Sequence, residues 1–176
     1  MAVTDASSAV GAIFARAEAL AATGDLSVTA LIAAAEQLSA RQAPVLAEAL
    51  YRAWLRYNAL HPLSYAVRFN FSVTLSDAGA VAEAHDQLRL SLLDKPDFAP
   101  ARINLGSALE RLGNRLGAIE SWRGLAVQLA GVTGETVAHK STALNQMGRV
   151  LNPHKSRGRP RRRSAPAWSS TRRSAR

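Results

Sequence analysis

The chain has 176 residues, 48% of them apolar and 6% aromatic, which favours one domain with a buried core built mainly from Ala and Leu. It contains no Cys, so disulfides, thiolate metal sites and cysteine nucleophiles are excluded. Of 22 Lys+Arg, nine (Lys155, Arg157, Arg159, Arg161, Arg162, Arg163, Arg172, Arg173, Arg176) lie beyond Leu151, in a stretch that holds no acid; the remaining 13 balance 13 Asp+Glu, so the net charge of +9 belongs to that C-terminal stretch alone.

In chain order, the N-terminus carries Asp5 and no early Lys or Arg, so it does not read as a secretory signal. No run approaches the roughly 20 apolar residues of a membrane span. A cytoplasmic location with no membrane partner is the expectation. Residues 7–22 set Val10, Ile13, Phe14 and Leu20 near one helical face, and Gly24 supplies a left-handed stop. A second helix, about 28–40, presents Leu31, Ile32, Ala35 and Leu38. A third, about 43–58, presents Leu46, Leu50, Trp54 and Leu55, with Pro44 in its first turn, where the missing N–H costs nothing. Residues 1–62 thus read as a capping helix followed by one degenerate helix pair.

From Tyr65 the sequence repeats itself at a fixed offset: Asn70 recurs as Asn104, Leu75 as Leu109, Gly79 as Gly113 and Ala84 as Ala118. Ser72 becomes Gly106, both small, and Leu88 becomes Trp122, both large and apolar. Small residues at Ser72/Gly106 and Ala84/Ala118 let the two helices of a pair approach closely, and the Gly pair makes the tight turn. The offset matches the period of about 34 residues that, with this pattern, is the signature of a tetratricopeptide helix–turn–helix array. The fold class expected is all-α: an α-solenoid of antiparallel helix pairs forming a right-handed superhelix, with the repeats in 63–151. The period then slips. It would place the next small residue at Lys140, but the matching segment Ala143–Leu151 carries it at Gly148. Eight extra positions must lie within 130–140, extending a helix or forming a loop, and the third repeat shows an A helix with no readable B helix. Residues 152–176 are basic and poor in aliphatics, with Pro153, Pro160 and Pro166, and are expected to be a disordered tail. A second reading of that Arg/Pro/Ser/Ala mixture is the product of a frameshift or truncation in GC-rich coding sequence.

HPLSYAVRFNFSVTLSDAG, DFAPARINLGSALERLG, AIESWR and TGETVAHKSTALNQMGRVL together resemble the N-terminal repeat region of bacterial proteins similar to O-linked N-acetylglucosaminyltransferase, the SPINDLY-like group, over roughly residues 45–151. In that family the repeats precede a two-lobed glycosyltransferase domain that uses a UDP-sugar and modifies Ser or Thr of proteins. Such a domain needs hundreds of residues, and only the short basic stretch follows Leu151. The resemblance therefore implies a substrate-presenting scaffold for a protein or peptide, with no catalytic residue and no cofactor on this chain. The alternative is a fragment of a glycosyltransferase whose activity resides in a missing domain.

In repeats of this kind the A helices line the concave face. Asn70 and Asn104, sixth in their repeats, would stack there, and a carboxamide pairs with both the N–H and C=O of an extended peptide without reading its side chains. The resemblance implies such an Asn ladder; at the third rung stands Gln146, with Asn145 beside it. The competing reading is that Asn at this place serves packing or capping. Phe69 with Ile103, and Asp77 with Arg111, are secondary candidates that read better as edge packing and solvated charge. His61, His85, His139 and His154 lack the spacing and acidic company of a metal site, so none is expected. Gly131-Val132-Thr133-Gly134 follows a helix and is a weak phosphate loop. The tail could neutralise phosphates and Trp168 could stack on a base, but a charge run is more often solvated, and nucleic acid is the least favoured partner.

Overall fold

The computed structural model describes residues 2–131 and 136–151. Among them the chain forms eight helices and no strand: α1 (Ala2–Thr23), α2 (Val28–Ala40), α3 (Pro44–Tyr57), α4 (Ser64–Asp77), α5 (Val81–Asp94), α6 (Ala99–Arg111), α7 (Arg115–Gln128) and α8 (Thr136–Leu151). α2 packs with α3, α4 with α5 and α6 with α7; α8 lies on α7 and α6, and α1 lies across α3 and α2. Each helix touches only near neighbours in the chain, the arrangement of a helical-repeat solenoid. The basic stretch expected to be disordered, 152–176, lies outside the described residues.

The helix boundaries follow from local chemistry. Pro44 and Pro100 stand in the first turns of α3 and α6. Ser27 and Asn114 cap α2 and α7, their side chains accepting from the N–H of Ala30 and Gly117. Between α4 and α5, and between α6 and α7, the backbone reverses through Gly79 (φ +87°) and Gly113 (φ +85°). Only a residue without Cβ takes that left-handed turn without steric cost.

The N-terminal pair proves to be a third copy of the same unit. Ala35, Leu38, Gln42, Ala47 and Tyr51 align, in order and at a single offset, with Ser72, Leu75, Gly79, Ala84 and Leu88. Gln42 adopts φ +62°, taking the left-handed place that glycine fills in the later repeats. The face of α3 is correspondingly rotated from the one expected. Ala47, Leu50, Tyr51 and Trp54 are buried, and Leu46 and Leu55 sit at the margin, because Ala47 and Tyr51 occupy the small and large places of the repeat. Tyr51 stacks on Phe71 with ring centroids 5.5 Å apart, joining this unit to α4. Beside it Arg52 lies over the Phe71 ring and forms a two-pronged ion pair with Glu83 of α5, one arm at 2.8 Å. The Arg52 guanidinium, bonded to Glu83, holds the Glu83 carboxyl below its usual range.

Within the second clear repeat the two helices meet more closely than a side chain on Gly106 would permit. A Cβ built there would lie 2.3 Å from Trp122 Nε1, and that N–H donates to the Ile103 carbonyl at 3.0 Å. Ser121 donates to the Arg102 carbonyl at 3.0 Å beside it. In the preceding repeat Ser91 donates to the Tyr65 carbonyl at 2.8 Å, so each B helix is pinned to the first half of its A helix.

The slip in period is divided between a helix and a connection. By register the start of α6 at Ala99 corresponds to Ser141, yet α8 begins at Thr136, so five of the eight extra positions lengthen α8 at its N-terminal end. The other three lengthen the α7–α8 connection, in which residues 132–135 lie outside the described residues. The register of α8 is fixed by burial: Ala143 and Val150 take the places of Ala101 and Ala108 and are enclosed as they are.

Candidate functional site

A residue two places before another on an α-helix sits about 200° away around the axis. The small residues Ser72 and Gly106 face their B helices, so Asn70 and Asn104 belong to the opposite face. That face of α6 runs through Pro100, Asn104, Ser107 and Arg111; that of α4 runs through Ala66, Asn70, Val73 and Asp77. On α8 the same register gives Thr142, Gln146 and Arg149.

The three carboxamides of this stripe have different surroundings. Asn70 is 9% exposed, and its Nδ2 donates to the Ala66 carbonyl of its own helix at 2.8 Å. Ser72 and Thr74 likewise donate to the Phe69 and Asn70 carbonyls, so α4 turns its polar side chains back on its own backbone. Asn104 is half-buried, and its carboxamide has no hydrogen-bond partner among the described residues. Gln146 is half-buried, and its Oε1 accepts from Arg149 Nε at 3.1 Å.

Arg149 is a residue that repeat reasoning missed. Its guanidinium forms a two-pronged pair with Glu110 of α6, one arm at 2.8 Å, and so ties the last helix to the repeat before it. Arg115 adds a second tie, donating to the Val150 carbonyl at 2.6 Å near the C-terminal end of α8, where a cation suits the helix dipole. A different contact joins the two preceding A helices, where Arg111 of α6 donates to the Ser76 carbonyl of α4 at 3.1 Å. A strict repeat gives no signal for Arg149, because its partner Glu110 lies off the period, at a separation of 39 along the chain.

The secondary candidates separate. Phe69 is buried against Phe98, ring centroids 5.4 Å apart, and Ile103 packs in the cluster containing Trp122. Asp77 and Arg111 are exposed. Of the histidines, His61 Nδ1 accepts from the Leu63 N–H, His85 Nδ1 lies 3.1 Å from Asp86, and His154 lies outside the described residues. Among the described residues no group of three or more His, Asp or Glu converges, and no helix is long and apolar enough to cross a membrane. Of the Gly131–Gly134 segment, only Gly131 falls within the described residues.

No family model and no curated protein matches this chain. Solved structures do. The tetratricopeptide domain of Sgt2 from Aspergillus fumigatus superposes with a TM-score of 0.52 at 18% identity, over 80% of this chain and 89% of that one. MamA aligns with a TM-score of 0.47 at 15% identity, over 73% of this chain and 79% of that one. The Sgt2 likeness agrees with the all-helical repeat architecture described above. The fold is a tetratricopeptide-type helical repeat.

Proposed function

We propose that this chain is a protein-interaction scaffold whose inner stripe, Asn70–Asn104–Gln146, receives an extended segment of a partner protein. The observation carrying this reading is Asn104: a half-buried carboxamide on the face opposite α7, with both donor and acceptor uncommitted among the described residues. An extended peptide needs such a pair of groups for its own backbone N–H and C=O. The three rungs are unequal. Asn104 contributes both functions, Asn70 is nearly enclosed and has one Nδ2–H committed to the Ala66 carbonyl, and Gln146 has its Oε1 held by Arg149. We further propose, on the sequence resemblance alone, that the partner is a protein substrate presented to a SPINDLY-like O-linked N-acetylglucosaminyltransferase, the catalytic domain being supplied elsewhere.

The test uses the full chain immobilised and panned against a library of random dodecapeptides. Retained peptides are then titrated by calorimetry. Asn104→Ala is expected to weaken their binding at least fivefold, and Asn70→Ala less than twofold, with helicity unchanged in both. Affinities that stay within twofold for Asn104→Ala would remove this stripe as the contact.

A further inference from the structure

We propose that the inner stripe has an occupant within the chain itself: the segment 152–163, whose Arg161, Arg162 and Arg163 seat on Glu36 and Asp77 and must be displaced by a partner peptide. This occupancy presupposes that the stripe receives extended peptides, and it makes the chain its own competitor.

The stripe carries uncommitted negative charge at one end. By register Glu36 of α2 holds the place of Val73 and Ser107, and Asp77 closes the stripe on α4. Both carboxylates are exposed and lack a hydrogen-bond or ion-pair partner among the described residues. Glu36 stands where α2 meets α4. Burial, and after it the Glu36 charge, raises the Tyr51 phenol above its usual value, and the Tyr51 hydroxyl bonds to Thr74 of α4. The cations of the stripe are engaged elsewhere. Arg149 is paired with Glu110, and Arg111 donates to the Ser76 carbonyl and makes no ion pair with Asp77. On α5 and α7 the exposed carboxylates Asp86 and Glu120 each stand one turn before an exposed arginine, Arg89 and Arg123, so they offer a cation no net attraction. A cationic segment is therefore drawn to the α2–α4 end of the stripe.

Reach and direction fit this occupant. Helices α2, α4, α6 and α8 are equivalent by register and each touches the next. At axial spacings of about 8–10 Å, α8 lies roughly 16–20 Å from α4 and roughly 24–30 Å from α2. Leu151 closes α8 and Asp77 closes α4, so the chain leaves α8 on the edge that carries Asp77. The three arginines follow Leu151 by ten to twelve residues, a span of at most about 33–43 Å when extended. Pro153 and Pro160 suit an extended path, since neither can donate a backbone N–H to a helix. That path crosses α6, where the uncommitted Asn104 carboxamide is available to the backbone of the segment. A tether of this length holds the arginines at an effective concentration of roughly 1 mM, so a contact of only about 0.25 mM affinity weakens a competing peptide about fivefold.

The full chain is used throughout the test. Arg162→Lys supplies an amine that a zero-length carbodiimide joins to a carboxylate in contact with it. Peptide mapping by mass spectrometry is expected to find that amine linked to Glu36 or Asp77 within a single chain, in clear excess over Asp86 and Glu120. In a second measurement, the dodecapeptides retained in panning are titrated into the variant carrying Arg161→Ala, Arg162→Ala and Arg163→Ala, and are expected to bind about fivefold more tightly than to the parent. Links spread evenly over Asp86 and Glu120, or found only in a species of twice the chain mass, overturn the inference. An affinity of the triple variant within twofold of the parent overturns it as well; where Asn104→Ala still weakens the same peptides, the stripe stands and only its internal occupant falls. Where Asn104→Ala leaves them within twofold, the stripe itself fails and the occupancy with it.

Discussion

Replacing Gly106 by Ser and Trp122 by Leu, singly and together, tests whether the repeat is held by a matched small/large pair. The double variant imports the Ser72/Leu88 pair of the preceding repeat. In Gly106→Ser the new Cβ starts 2.3 Å from Trp122 Nε1, so the indole must withdraw and its bond to the Ile103 carbonyl is lost. Overpacking of this kind costs about 1–3 kcal/mol. A buried indole N–H without a partner adds roughly 1–3 kcal/mol. Better helix propensity returns about 0.5 kcal/mol. The net expectation is a loss of about 3 kcal/mol. Trp122→Leu alone leaves Gly106 uncovered and removes much of a side chain that is fully buried, at a cost of about 2–3 kcal/mol. In the double variant the leucine accommodates the serine, so the combined loss should fall at least about 1 kcal/mol short of the sum. Urea unfolding of the four full-length proteins, followed by far-UV circular dichroism, measures the coupling. Additivity within about 0.5 kcal/mol, or a Gly106→Ser variant as stable as the parent, refutes the reasoning, because the close approach would then not be what glycine is there to permit.

Gln42→Gly should raise stability by about 1 kcal/mol, since it relieves a left-handed backbone at φ +62°; for a chain of this size the melting temperature rises roughly 2–4 °C. Tyr51 is buried, and burial raises its phenol well above the ordinary value, so the fold favours the neutral form. That contribution is complete below the unfolded pKa of about 10 and is lost as pH rises above it; Tyr51→Phe should therefore flatten the alkaline limb of a melting-temperature profile. The Arg52–Glu83 pair works in the opposite direction: the Glu83 carboxyl is lowered on folding, so its contribution is present above the unfolded pKa and fades as pH falls through the folded one. Both partners are well solvated, so Glu83→Gln should cost under about 1 kcal/mol at pH 7 and nothing in strong acid, measured by the same melts.

The two regularly spaced repeats were legible because every landmark residue has a mechanical role that a sequence displays: Gly79 and Gly113 for the turn, Ser72 and Gly106 for close approach, Leu88 and Trp122 for filling. The N-terminal unit was harder to read for two physical reasons. Its spacing to the next unit is three positions longer, and Gln42 stands where glycine would have marked the turn. Tertiary packing supplies the energy that holds a non-glycine residue there, and no local pattern records that. Leu46 and Leu55 satisfied a helical apolar stripe as well as Ala47 and Tyr51 did. Only the neighbouring α4, whose Phe71 stacks on Tyr51, decides between them.

The candidate site shows a related limit. Identical residues at identical register, Asn70 and Asn104, share a direction of Cα–Cβ because the helix geometry fixes it. What the carboxamide does beyond Cβ is set by rotamer and enclosure. In α4 it is almost fully covered and donates to Ala66; in α6 it is half-covered and among the described residues donates to nothing. A ladder of equal rungs is therefore a statement about backbone register, whereas binding depends on which amides remain uncommitted. On that criterion Asn104 outranks Asn70, and a partner engaging this stripe should lose more affinity from the second repeat than from the first. The same reasoning separates Gly148 from Gly106: one register, two environments, because α7 covers one and no described helix covers the other. Where the repeats agree, sequence names the structure; where equivalent residues differ in what covers them, it is the cover that distinguishes a packing residue from an accessible one.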